Sequence, residues 1–238
     1  MKTIAWAAGL AVALGVSAAE AKTVDFDTNF GAPLANGAFL DGAFDFGAGL
    51  TGTISTIRFT SGNSNNPGPV AGLAQVFDTS LKRNSPTHDK DLLRPRSTET
   101  NKRSTTLGNA LIVNENPGRI DDNWVGGQIT FVFDKVVEFL GVTLIDLEDT
   151  QPVVITADGY SSGNLDTSVG NKNGDNMFRD FLPGETVRTQ TLTFTFDGSG
   201  AIDNLEVAPV PLPASALLLL GGLGAMGAVR RRKGKAKA

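Results

Sequence analysis

The sequence predicts an all-β domain, an antiparallel β-sandwich of jelly-roll-like form, followed by one short C-terminal transmembrane helix. Three observations carry this expectation. Thr189 to Phe196 alternates strictly, with Leu192, Phe194 and Phe196 on one side and Thr191, Thr193 and Thr195 on the other; Gln128 to Phe133 repeats the pattern with Ile129, Phe131 and Phe133. A period of two is that of a half-buried strand. Clusters of Gly, Asn, Asp and Pro, such as 63–68 and 170–176, separate such segments, and no long helical period interrupts them. Finally, an uncharged run over 215–229 is closed by Arg230, Arg231, Arg232 and Lys233, the pattern of a membrane span with a basic flank.

In chain order, the first element is an export signal. Lys2 precedes an apolar run from Ile4 to Val16, and Ala19 and Ala21 supply the small residues of a cleavage site. This is the layout of a secretory signal peptide cut after Ala21; the run is shorter than the roughly 20 residues of a spanning helix. The secretion machinery and signal peptidase are thus expected partners, and the domain limits are 1–21, 22–208 and 209–238. Within the middle region the candidate strands are Thr53–Thr60, Ala74–Asp78, Ala110–Val113, Gln128–Phe133, Val136–Asp146, Val153–Ala157, Thr189–Phe196 and Ala201–Val207. The polar, charged stretch from Thr79 to Leu107 reads as an extended surface loop.

Composition removes several kinds of chemistry. Among 238 residues there is no Cys and one His, His88, which excludes disulfides, thiolate metal sites, cysteine nucleophiles and His-cluster metal centres. The net charge of -4 averages unlike parts: residues 22–229 hold 24 acids against 14 bases, while the last nine residues hold six bases. A strongly acidic domain is a poor partner for nucleic acid, and none is expected.

The C-terminal segment is a second address. Fifteen helical residues over 215–229 rise about 22 Å, a minimal span for a hydrocarbon layer of about 30 Å. The basic cluster behind them stays cytoplasmic and leaves everything upstream outside. Pro211 and Pro213 keep the preceding chain extended, the form in which proteases take substrates. Val210-Pro211-Leu212-Pro213-Ala214, the glycine-bearing apolar run and the Arg cluster together resemble the VPLPA variant of the PEP-CTERM sorting signal. The resemblance covers about the last 29 residues. It implies a temporary anchor and a partner of the exosortase class, a transpeptidase-like membrane protease. It further implies passage through an anchored intermediate to the cell surface or an exopolysaccharide matrix. A permanent single-span anchor is the alternative. Gln75-Val76-Phe77-Asp78, Asp89-Lys90-Asp91-Leu92, Asn109 to Val113, Asp121-Asp122-Asn123 and Ile202-Asp203-Asn204-Leu205 resemble, in that order, exported domains that carry such signals. Those domains imply no particular activity.

Three ligand hypotheses remain. Structural calcium requires about six to eight oxygens, and Asp203, Asp121, Asp122 and Asp91 are its candidates. Asp203 is the sharpest, because alternation puts it on one strand face with Leu205 and Val207, and a carboxylate facing a core must be paired, capped or metal-bound. The segment 171–176 lacks the spacing of an EF-hand loop. Glycan binding has a candidate in Trp124, whose flat ring lies beside Asp121-Asp122-Asn123 and Gly126-Gly127; packing of Trp124 into the sandwich is the competing reading. Carboxylate-pair glycan hydrolysis could draw on Glu115, Glu138, Asp146, Glu148 or Asp149, but surface acids explain the same residues, and a non-catalytic protein is the expectation. His88 reads as a surface residue.

Overall fold

A computed structural model describes residues 20–60, 70–71, 74–81, 90–100, 107–115, 118–148, 150–167 and 176–211. Every regular element among them is a strand: β1 Lys22–Val24, β2 Thr28–Asn29, β3 Ala32–Pro33, β4 Gly42–Gly47, β5 Leu50–Arg58, β6 Val70–Ala71, β7 Ala74–Asp78, β8 Arg96–Ser97, β9 Asn109–Val113, β10 Gly127–Ile145, β11 Val153–Ala157, β12 Tyr160–Leu165, β13 Met177–Phe181, β14 Val187–Phe196 and β15 Ala201–Pro209. The pairing is antiparallel apart from the two-residue ladder between β8 and β13. The all-β, antiparallel expectation therefore holds. The helix expected over 215–229 lies outside the described residues.

Hydrogen bonds join 13 strands into one sheet, and β2 and β3 form a separate pair. The continuity comes from β10, whose 19 residues replace the two strands expected at Gln128–Phe133 and Val136–Asp146. Its first half lies between β5 and β14, and its second half pairs with β15 and β13. The register against β14 shifts between Val132 and Val137. Asp134, Lys135 and Val136 are exposed there, so two polar residues in the middle of the strand mark an irregularity and not an end. A strand that changes neighbours along its length lets one sheet bend around the main core.

That core is rich in phenylalanine. Phe131 is fully buried, and its ring centroid lies 6.4 Å from Phe26, 6.0 Å from Phe46, 6.4 Å from Phe133 and 5.8 Å from Phe194. These rings come from β4, β10, β14 and the segment after β1. Each buried aromatic contributes on the order of 2–3 kcal/mol. The inward positions Ile129, Phe131, Phe133, Leu192, Phe194 and Phe196 are all buried, as alternation predicts.

A second buried cluster covers the opposite side of the β9–β15–β10 half, and it corrects the reading of residues 79–107. Leu92 and Leu93 are fully buried with Phe77, Leu107, Ala110, Ile112, Ile145 and Ala201. Arg96 and Ser97 form β8, paired in parallel with Met177 and Phe178. The segment is therefore not one extended surface loop. It carries two adjacent apolar residues that close this second core, a signal hidden by the charges around them.

The final strand holds another departure. Register against β10 passes from Gly141↔Glu206 to Thr143↔Asp203, leaving one extra residue on β15. Asn204 takes φ 47°, the left-handed conformation that Asn tolerates, and forms the bulge. Alternation breaks there. Ile202 joins Leu205 and Val207 in the main core, whereas Ala201 belongs to the second cluster. Asp203 thus sits on the Ala201 face, not on that of Leu205 and Val207.

Candidate functional site

Both ends of the described domain meet on β15. Lys22, the residue after the expected signal cleavage, is the first of β1 and pairs with Val207. Ala21 before it is exposed; Ala19 lies outside the described residues. At the other end, β15 is an interior strand between β10 on one side and β9 and β1 on the other. Ile202, Leu205 and Val207 are fully buried. The strand ends at Pro209, and the Val210 N–H still donates to the Val136 carbonyl at 2.9 Å. Pro211 is then exposed, consistent with its lack of an N–H to continue the ladder. The pentapeptide motif thus starts at the last sheet hydrogen bond among the described residues. Leu212, Pro213, Ala214 and the basic residues Arg230, Arg231, Arg232 and Lys233 lie outside the described residues.

A cleft of about 480 Å³ opens above the bulge, with Thr143, Asp180, Asn204 and Glu206 on its polar side and Val142, Phe181 and Leu182 on its apolar side. Thr143 donates its hydroxyl to Asp180 at 2.7 Å and receives Asn204 Nδ2 at 3.4 Å. Beneath them Asp203 is 1% exposed. Its carboxyl takes the Asn204 backbone N–H at 2.6 Å and Asn204 Nδ2 at 3.1 Å. Burial pushes the Asp203 carboxyl up to about 8; the Asn204 N–H opposes this, and the charges of Asp25, Asp27 and Asp180 add to it. At neutral pH the group is mostly protonated.

The four carboxylates considered for calcium form no group of three among the described residues. Asp122 is buried and receives the Gly200 N–H at 2.5 Å and the Ser199 hydroxyl at 3.3 Å, so it ties down the turn before β15. Asp121 is half-buried, and its carbonyl accepts from the Glu115 N–H at 3.3 Å. Asp91 is exposed, and Asp203 is held by Asn204. Among the described residues no three His, Asp or Glu side chains converge as a metal site.

Trp124 is 66% exposed, which overturns the reading that packs it into the sandwich. It projects from a turn fixed by buried Asn123, whose N–H donates to Val113 at 2.8 Å and whose Nδ2 donates to Phe59 at 3.0 Å. Gly126 closes the turn at φ 86°, where an added Cβ would strike the Phe196 carbonyl. The indole is thus presented on a rigid support.

Of the acids considered for hydrolysis, Glu115, Glu138, Asp146 and Glu148 lie among the described residues. Glu138 pairs with Arg188 at 3.3 Å on the surface. Asp146, at φ 60°, accepts the Asn176 N–H at 2.5 Å. Asp149 lies outside the described residues. Asp203, whose carboxyl burial raises to about 8, is 1% exposed.

No curated protein and no solved structure matches the chain. Residues 209–233 match the family model of the PEP-CTERM protein-sorting motif. The match begins on the last residue of β15 and contains the pentapeptide, the apolar run and the basic cluster through Lys233. The chain therefore carries at its C-terminus a PEP-CTERM protein-sorting motif, the signal of exosortase-sorted exported proteins.

Proposed function

We propose that this is an exported, non-catalytic module that is handed by its tail to an exosortase-type membrane enzyme and then works at the cell surface or in an exopolysaccharide matrix. The signal peptide ends at Ala21 and the tail holds the protein briefly in the membrane through 215–229, with Arg230 to Lys233 inside. The observation that carries this reading is the junction at Val210. A buried interior strand ends there, and the sorting motif continues from it without a linker. A protease needs extended chain free of the sheet, so cleavage falls C-terminal to Val210. Upstream of that point it would have to strip β15 from the core.

Mass spectrometry of the secreted protein tests this directly. The expected mature form begins at Lys22 and ends within 210–214. An intact Arg-rich tail on the mature protein would exclude processing and leave the permanent anchor. A C-terminus upstream of Val207 would refute the role given to β15.

A further inference from the structure

The outer face of the half-sheet β5–β10–β14–β11–β12 takes no part in the buried core. Its register aligns hydroxyls across five strands: Ser55 opposite Thr130, Thr130 opposite Thr193, Thr193 opposite Thr156, and Thr156 opposite Ser161. Thr130 and Thr193 are hydrogen-bonded at 3.2 Å. One row along, Gln128 Nε2 donates to Thr195 at 3.2 Å. On the other side Val132, 42% exposed, stands between Thr53 and Thr191. None of these positions carries a charge, although residues 22–229 hold 24 acids against 14 bases.

The chemistry of such a face is specific. Each hydroxyl both donates and accepts, and β-branched threonines are stiff at χ1, so the array is ordered before anything binds. With strands about 4.8 Å apart, a five-strand row runs about 19 Å, the length of several sugar rings. Adjacent strands rotate by about 20–25°. A five-strand row therefore turns through about 80–100°, which suits a flexible chain and not a flat crystal plane such as ice. An anionic polymer is repelled by the acidic domain, and a cationic one seats on its carboxylates. We propose that this face docks a single chain of uncharged polysaccharide laid across the strands along the Ser55-to-Ser161 row. The inference rests on the matrix role above and gives it a surface.

Affinity electrophoresis of the purified full chain in detergent, through gels holding dextran, a linear neutral β-glucan or alginate, tests it. The expected result is retardation by a neutral polymer and not by alginate. Thr130→Val with Thr193→Val keeps the branched shape and removes two central hydroxyls, and should weaken retention by about tenfold or more. Should that pair lower the melting temperature, Ser55→Ala with Ser161→Ala makes the same test at the ends of the row. Absence of retention by any neutral polymer, equal retention by alginate, or unchanged retention of folded variants would overturn the proposal. So would inhibition of ice recrystallisation without polymer retention. The tail is read separately, by mass spectrometry of the protein secreted by its host: a processed tail there without polymer retention refutes only this docking surface, and polymer retention with an unprocessed tail on the secreted protein refutes only the sorting reading.

Discussion

Asp203→Asn should change the way stability depends on pH. The folded carboxyl titrates at about 8 against an ordinary value of 3.8. Between these values the folded state holds a proton that the unfolded state has released. Stability is therefore greatest below the ordinary value and is lost as pH rises through the folded one. Each pH unit in that window costs about 1.4 kcal/mol, and the loss accumulated by pH 7 is on the order of 4 kcal/mol. Against a total of roughly 5–15 kcal/mol for a typical domain, this is a large fraction. Asparagine keeps the size and the acceptor oxygen facing the Asn204 N–H, and it cannot ionise. Urea unfolding at pH 5, 6, 7 and 8 reads the effect. The variant should gain on wild type at every step, by about 1.4 kcal/mol per pH unit, so that the gap between them widens by about 4 kcal/mol from pH 5 to pH 8. The difference between the curves cancels groups common to both, His88 included. Parallel curves from pH 5 to 8 would show that Asp203 does not carry a raised pKa, and the account of its burial would fall.

Other substitutions probe the rest of the fold. Phe131→Ala removes the ring that contacts four others and should cost about 3–5 kcal/mol in chemical denaturation; a change under about 1 kcal/mol would mean the aromatic cluster is not the main core. Leu92→Ala should cost about 2–5 kcal/mol, whereas a surface-loop residue would shift stability by about 0.5 kcal/mol or less. Gly126→Ala should cost more than the roughly 1–3 kcal/mol of backbone strain alone, because its Cβ meets the Phe196 carbonyl; a melting temperature equal to wild type would contradict the turn geometry that presents Trp124.

Strand periodicity in the sequence identifies the inward faces of β10 and β14 because their side chains alternate without interruption from Ile129 to Phe133 and from Leu192 to Phe196. Periodicity fails where the backbone breaks its own count. Asp203 is placed on the wrong face by alternation, since the bulge at Asn204 adds one residue and reverses every side chain beyond it. An Asn in a strand is a hint of such a bulge, but no sequence rule locates it to the residue. Leu92 and Leu93 escape notice for a different reason: two apolar residues within a charged stretch have no period, and their burial depends on β7, β9 and β13 arriving around them. The sorting tail was legible because it is read locally, as a motif, an apolar run and a charge cluster in fixed order. The hydroxyl row is the opposite case. Its threonines are visible strand by strand, yet the row exists only in the registers that join five strands.

The position of β15 couples the fold to its export. Ile202, Leu205 and Val207 are buried between β10 and the β9 and β1 strands, so the core cannot close until the chain has passed Pro209. The strand that completes the domain is thus also the one that delivers the sorting motif. A domain that has not folded leaves β15 exposed and extended, with its apolar residues open to cleavage or aggregation. In the folded domain β15 and Val210 are tied into the sheet and Pro211 is exposed, so on the proposed sorting route the protease acts beyond Val210. No separate linker residues are needed to mark the boundary, because the sheet hydrogen bond from Val210 to Val136 marks it. Moving the motif closer to Ala201 would place the cut within the core, whereas inserting flexible residues after Val210 would preserve the fold and move only the processing point.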